Sequence, residues 1–263
     1  MRKIVIFIIA VMILLCIYIV FMHQNRNIDK IIRFANMNYP RVCADVQIAG
    51  NNLNISGGNA SSKYNNETFN VKDYIFSNNF SDNNSNYAIS DKKIYDKITG
   101  LPIKAEKINI ENTSEIYELD YDMGTPVIVI VDKYNNKNPI QVLYKTGNSF
   151  LNVSLEIPEK VKTYNLVFAQ KVGLYEMSFI FTKGNDVYVV SYLAMDNYMR
   201  IIKHFKTQCS NPSFAYNTDK FHKNISIFIV GGLKEEKDIK CVPNLNLNNE
   251  NACNSIEVLI FQQ

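Results

Sequence analysis

The chain contains little of what most catalytic proteins depend on. It has no Trp, three His, ten Gly and seven Pro in 263 residues. None of the glycines forms a phosphate-binding loop or a dinucleotide fingerprint, and the motifs of zinc proteases and serine hydrolases do not occur. Composition therefore favours a protein that works by contact, and it predicts no catalytic, cofactor or metal residue.

Charge of one sign is also scarce. The chain carries 28 Lys and Arg against 25 Asp and Glu, a formal net charge of +3. Arg2 and Lys3 supply two of the positive charges, so the remainder is nearly neutral. Nucleic-acid binding needs a concentrated basic face, and we therefore expect no nucleic-acid partner.

The most informative feature that is present is an apolar run at the N-terminus. Residues from Ile4 to Met22 include no charge, Pro or Gly. As a helix the run would span about 30 Å, the thickness of the hydrocarbon core of a bilayer. A cleaved signal is the first alternative, but the run is long and no small residues follow it. A lipoprotein signal at Cys16 is the second, but the run continues past that cysteine.

We therefore expect a retained transmembrane helix, a single-pass signal-anchor in which residues 4–22 contact the lipid bilayer. The predicted localisation has the N-terminus in the cytoplasm and the bulk of the chain periplasmic or extracellular. Positive charges stand on both sides of the run, so its flanks alone do not set the orientation. The exported character of the residues that follow decides it.

Four of the five cysteines lie beyond the predicted anchor. An even number in an exported protein is typical of disulfides, which persist in oxidising compartments. Four buried thiols in a cytosolic domain are the alternative. Spacing leaves three pairings open. We favour Cys241–Cys253, because that bridge closes a polar loop between two predicted strands, and this choice leaves Cys43–Cys209.

Asn occurs 35 times, and eight N-glycosylation sequons result. They support an alternative, a viral or eukaryotic single-pass surface glycoprotein used in attachment or entry. Heavy use of Asn is also typical of an AT-rich genome, so the sequons alone do not decide. They begin at Asn54, Asn59, Asn66, Asn79, Asn83, Asn112, Asn152 and Asn224.

The chain divides into four predicted segments. In the second, Ile28, Ile31, Ile32 and Ala35 recur at helical spacing. The third includes residues 51–90, where 12 Asn and 7 Ser leave too little apolar area to offset chain entropy. The segments are the membrane anchor at 1–22, a juxtamembrane helical stalk at 23–40, an Asn/Ser-rich tether or loop at 41–92, and an antiparallel α+β domain at 93–263.

Strand patterns fill the last segment. Alternating apolar residues and continuous apolar runs predict strands, and the continuous runs are typical of central strands covered on both faces. Short loops at 134–138 and 183–185 predict hairpins. The alternating stretches are 117–121, 151–157 and 175–181, the continuous runs are 127–131 and 187–190, and the last two strands are 225–230 and 256–261.

One helix is predicted among these strands. Tyr198, Ile201, Ile202 and Phe205 form an i, i+3, i+4, i+7 stripe. The predicted fold class is thus α+β: a single N-terminal transmembrane helix, then a mainly antiparallel β-sheet domain with one amphipathic helix packed on it.

Two sets of side chains have the chemistry for a site. Glu118, Asp120 and Asp122 would share one strand face, which suits Ca²⁺ or an acid/base pair. The solvent face of an edge strand is the simpler explanation. A catalytic imidazole at His204 or His222 competes with an ordinary surface role.

These observations predict a non-enzymatic cell-envelope component that binds or assembles with a protein partner. The surface glycoprotein is the alternative, and a membrane-tethered enzyme is the second alternative.

Overall fold

Strands account for almost all of the regular structure. The computed structural model describes residues 30–58, 66–76, 85–111, 113–121, 124–133, 135, 137–219, 223–235 and 251–263. The helical elements that lie wholly within these ranges are two short 3-10 turns, Lys72–Tyr74 and Glu159–Val161. The strands are β1 (Lys30–Asn36), β2 (Asp45–Ala49), β3 (Asn52–Ser56), β4 (Glu67–Asn70), β5 (Tyr87–Ser90), β6 (Lys93–Asp96), β7 (Glu115–Asp120), β8 (Pro126–Val131), β9 (Ile140–Thr146), β10 (Ser149–Val153), β11 (Asn165–Lys171), β12 (Glu176–Lys183), β13 (Asp186–Leu193), β14 (Tyr198–Lys206), β15 (Ser213–Thr218), β16 (Asn224–Val230) and β17 (Ser255–Gln262).

The described strands pair into five antiparallel sheets. Sheet I has the order β10–β9–β8–β7, sheet II has the order β11–β12–β13–β14, and sheet III has the order β1–β17–β16–β15. The outer sheet is β2–β3–β4, and the outer hairpin is β5–β6.

Apolar side chains arrange the sheets in layers. One core lies between sheets I and II and includes Val129 and Phe179. A second core lies between sheets II and III and includes Val189 and Ile227. The outer sheet covers the far face of sheet III, and the outer hairpin covers the far face of sheet I. The layers therefore run from the outer hairpin through sheets I, II and III to the outer sheet.

Burial on both faces explains the continuous apolar runs. In β8, Val129 faces sheet II, whereas Ile128 and Ile130 face the outer hairpin. All three side chains are at most 1% exposed. An antiparallel strand with one wet face would alternate instead. The prediction that 127–131 and 187–190 are central strands covered on both faces is confirmed.

The predicted amphipathic helix is wrong, because Tyr198–Lys206 is strand β14, at the edge of sheet II. Its pairing with β13 skips Ile202, so β14 contains a β-bulge at this residue. The extra residue shifts the alternation, so Ile201 packs towards sheet I while Ile202 and Phe205 pack towards sheet III. As a result, the apolar residues of β14 follow one another in the sequence at the spacing that is typical of an amphipathic helix. The fold is therefore nearly all antiparallel β-sheet and not α+β.

The helical stalk is wrong for the same reason. Lys30–Asn36 is strand β1, and its pairing with β17 skips Phe34. Ile31 faces sheet II and Ala35 faces the outer sheet, so both faces of the strand bear apolar residues. The spacing that resembles a helix again comes from a bulge.

The predicted anchor at 4–22 and the rest of the stalk lie outside the described residues. Across the ranges that are described, no helix is long and apolar enough to cross a membrane. The described residues therefore do not support the predicted localisation, a single-pass topology with a cytoplasmic N-terminus and a periplasmic or extracellular domain.

The structure also differs from the predicted tether in the described part of 41–92. Leu53 and Ile55 are completely buried, and they share a core with Phe228 of sheet III. Asn52, Asn54 and Ser56 occupy the remaining positions of β3. Because a strand needs apolar residues only at every second position, a stretch with few of them still packs as a covering sheet.

A narrow junction forms at one end of sheet III, where three segments meet. Gly231 and Gly232 follow β16 with φ of +63° and +106°. A Cβ atom on Gly231 would lie 2.2 Å from the Arg41 carbonyl oxygen, and one on Gly232 would lie 2.5 Å from that of Ser210. The Gly232 N–H donates to the Arg41 carbonyl at 2.9 Å. Only glycine permits this approach at these dihedral angles.

A disulfide closes the junction. Cys209, just after β14, is bonded to Cys253, just before β17. The predicted pairing of Cys241 with Cys253 and of Cys43 with Cys209 is therefore wrong, because the sheets bring the end of β14 to the start of β17. Cys43 is also disulfide-bonded, and its partner is neither of these two. Cys241 lies outside the described residues.

A buried ion pair ties the outer sheet to the same junction. Arg41 and Glu67 are 3% and 6% exposed, with Nη2 of Arg41 3.3 Å from Oε1 of Glu67. Nη1 of Arg41 donates to the Gly57 carbonyl at 2.7 Å, and the Asn38 N–H donates to Glu67 at 2.7 Å. Several hydrogen bonds thus compensate the two charges for lost hydration.

We expect Gly231→Ala to lower the free energy of unfolding by about 3 kcal/mol or more, because left-handed strain adds to a backbone clash. The matched control is Gly147→Ala, where φ is +60° but nothing lies within 4 Å of the added Cβ. That control should lose only about 1 kcal/mol, the cost of the dihedral angle itself. Urea denaturation compares the two, and equal losses would contradict the close approach at the junction.

We expect loss of the bridge in Cys209→Ser to lower the free energy of unfolding by about 4 kcal/mol, since the cysteines stand 44 residues apart and chain entropy scales with loop length. Non-reducing peptide mapping should recover Cys209 joined to Cys253 and Cys43 in a separate bridge. A Cys241–Cys253 peptide would contradict the observed pairing.

Candidate interaction surface

The predicted acidic row has a structural role at Glu118. The backbone N–H and the Nδ2 of Asn86 donate to the Glu118 carboxylate at 2.6 and 3.2 Å. These bonds fasten the segment before the outer hairpin to β7. Asp120 continues the strand, and Asp122 lies outside the described residues. Among the residues that are placed, no three acids, His or Cys come together as a metal site.

His204 belongs to a cluster of three hydrogen-bonded side chains. Its Nε2 lies 2.9 Å from Oδ1 of Asp186, and the Tyr164 hydroxyl donates to Oδ2 of Asp186 at 2.8 Å. The imidazole stacks on the Tyr188 ring, with centroids 4.2 Å apart. The cluster joins β13, β14 and the start of β11, which is a structural role. His222 lies outside the described residues.

The electrostatics of this cluster follow from its hydrogen bonds. Burial alone would raise the pKa of Asp186, but bonds from His204 and Tyr164 outweigh it and hold the pKa below its ordinary value. Burial, followed by the bond to Asp186, raises the pKa of Tyr164 to about 12. Tyr164 therefore remains a hydrogen-bond donor at neutral pH.

Exposed apolar side chains gather at one end of sheets I and II. The Asp120 N–H donates to the Leu174 carbonyl at 2.9 Å, and the Ala194 N–H donates to the Tyr175 carbonyl at 2.8 Å. These bonds join the turn after β7, the β11–β12 loop and the β13–β14 loop. Their large apolar residues are 39% to 58% exposed. We name as the apolar loop surface Tyr121, Leu174, Tyr175, Met195 and Tyr198.

Buried tyrosines support these loops from within. The Tyr144 hydroxyl donates to the Ala194 carbonyl at 2.5 Å. The Tyr192 hydroxyl lies 3.2 Å from that of Tyr144 and 3.3 Å from Oδ1 of Asn197. Tyr121 packs edge-on against Tyr144, with centroids 5.2 Å apart. The loops therefore rest on a fixed network attached to both sheets.

Burial keeps that network in one protonation state. It raises the pKa of both Tyr144 and Tyr192. Both hydroxyls stay protonated across the physiological range, so the support beneath the loops does not change with pH.

Sequence reasoning did not single out the five residues of this surface. Tyr is common both in half-buried strands and at wet interfaces, so its abundance is ambiguous. The signal available was position: Leu174 and Met195 are apolar residues in predicted connections between secondary-structure elements, where polar turn residues are the rule.

No family model matches the chain, and no curated protein matches it.

The depressed pKa of Asp186 predicts a pH dependence of stability. Because the folded pKa lies below the unfolded value of about 3.9, its stabilising contribution is complete above that value and is lost as pH falls through the folded pKa. We expect the free energy of unfolding of the wild type to fall more steeply than that of Asp186→Asn between pH 5 and pH 2.5. Parallel urea-derived curves would contradict the cluster's electrostatics.

Proposed function

We propose that this protein is a non-enzymatic binding or assembly module that holds a protein partner at the apolar loop surface. The observation that carries the proposal is the gathering of five large, exposed apolar residues, four on loops that hydrogen bonds join and Tyr198 at the start of β14. Monomeric soluble proteins rarely expose large contiguous apolar patches, and such patches mark interaction sites where they occur.

The composition of the surface supports a protein partner. Tyr and Met are enriched in the cores of protein interfaces, where charged residues are depleted. Tyr also supplies a large contact area and loses little conformational entropy on binding. Three of the five residues are tyrosines: Tyr121, Tyr175 and Tyr198. Each offers an apolar ring for contact and a hydroxyl that can form hydrogen bonds at the hydrated rim of an interface.

The framework beneath the surface supports affinity. Loops that are already fixed lose less conformational entropy on binding. The bonds from Tyr144 to Ala194 and from Asp120 to Leu174 fix these loops through backbone atoms. Side-chain changes at the tips therefore alter contact without altering the framework.

The test compares Leu174→Ser/Met195→Ser with the matched control Leu101→Ser, since Leu101 is 65% exposed and lies beside the outer hairpin, where its carbonyl accepts from the Asp96 N–H, on the far face of sheet I. We expect the double variant to lose at least about tenfold in recovery of the crosslinked partner, because truncating an interface anchor costs about 1–2 kcal/mol. The control should recover the partner like the wild type. All these side chains are exposed, so unfolding midpoints should agree. Equal recovery from both variants would refute the proposal.

A further inference from the structure

A cleft opens at the other end of sheets I and II. It has a volume of about 630 Å³ and lies between the β8–β9 loop and the chain that connects β10 to β11. This volume falls within the range of small-molecule sites, about 300–1,000 Å³. The acidic row and the apolar loop surface contribute none of its lining.

The floor of the cleft is apolar. Val161, Leu166 and Phe181 line it, and all three belong to the core between sheets I and II. Ile157 adds a half-buried wall. Because the three floor side chains are at most 4% exposed, the gain on binding comes from the apolar surface of the ligand itself and from Ile157.

One rim of the cleft carries one negative charge in excess of its positive charge. Lys162 is ion-paired with Glu159, and Glu156 stands on the same rim. The bond to Glu159 and then the charge of Glu156 raise the pKa of Lys162. A ligand therefore meets the charge of Glu156 on this side, which disfavours an anionic group here and leaves the opposite rim for it.

The opposite rim carries an unbalanced positive charge. Lys137 lines the cleft from the β8–β9 loop, and no carboxylate of the described residues is within ion-pairing distance of its ammonium group. Oδ1 of Asn135 accepts from the N–H groups of Lys137 and Asn138 at 3.0 and 3.2 Å. These bonds hold the backbone at Lys137 and Asn138.

We propose that this cleft binds a small-molecule carboxylate with an apolar body, whose body lies on the floor at Phe181 and Leu166 and whose carboxylate pairs with Lys137. A neutral ligand would leave the Lys137 ammonium group without a counter-charge, and a cationic ligand would be repelled by it. The proposal stands independently of the apolar loop surface.

Calorimetric titration of the full chain with decanoate tests the site, with decanol and decyltrimethylammonium as matched neutral and cationic probes. We expect decanoate to bind more tightly than decanol, and the cation to bind least. Absent decanoate binding, or equal binding of all three probes, would overturn the proposal.

Variants then locate the bound probe. Lys137→Gln should weaken decanoate at least about tenfold, the effect of losing one charge-assisted bond of about 1.5 kcal/mol, and should leave decanol unchanged. Lys160→Gln is the matched control, because Lys160 is exposed next to the cleft without lining it. Ile157→Trp should narrow the cleft above its floor and weaken the binding of decanoate and decanol alike. Equal loss in the two lysine variants, or unchanged binding in Ile157→Trp, would refute the assigned site. Circular dichroism of each variant confirms folding.

Discussion

The structure depends on sheet II being buried on both of its faces. Met177, Phe179 and Phe181 of β12 pack towards sheet I, while Ile180 between them packs towards sheet III. A sheet with two apolar faces is unstable when either face is exposed to water. Sheet II therefore requires sheet I on one face and sheet III on the other. Each of those has a second apolar face in turn, which requires the outer hairpin and the outer sheet. The layered order follows from this one constraint.

Such a stack has to connect distant parts of the chain, and the junction at Gly231 does so. β1 comes from the start of the described chain and β17 from its end, yet they are neighbours in sheet III. Long-range pairing of this kind carries a large loop-closure cost. The Cys209–Cys253 bridge and the Arg41–Glu67 pair lie where these segments meet. Both interactions stabilise the folded chain where these segments meet, and they thereby help to offset the loop-closure cost.

Strands could be predicted from the sequence wherever one rule for the spacing of apolar residues held along the whole strand. β8 and β13 are continuous apolar runs and were identified as central strands. β1 and β14 break the rule, because a bulge at Phe34 or Ile202 inserts one residue and converts a period of two into helical spacing. Both are edge strands, where bulges are frequent. A helical stripe of only two turns beside strands is therefore weak support for a helix. The cysteine pairing failed for a different reason, since it depends on which strands are neighbours.

The layered burial also explains where function can reside and why the sequence did not reveal it. With the central sheets covered on both faces, strand ends are the principal places where sheets I and II meet solvent. The apolar loop surface lies at one such end, and the cleft with Lys137 at the other. In the sequence, Leu174, Met195 and Lys137 belong to separate connections, and no local pattern joins any one of them to its neighbours in space. They become parts of sites only because the two sheets place loops from different hairpins side by side, so their roles depend on the fold and not on a motif.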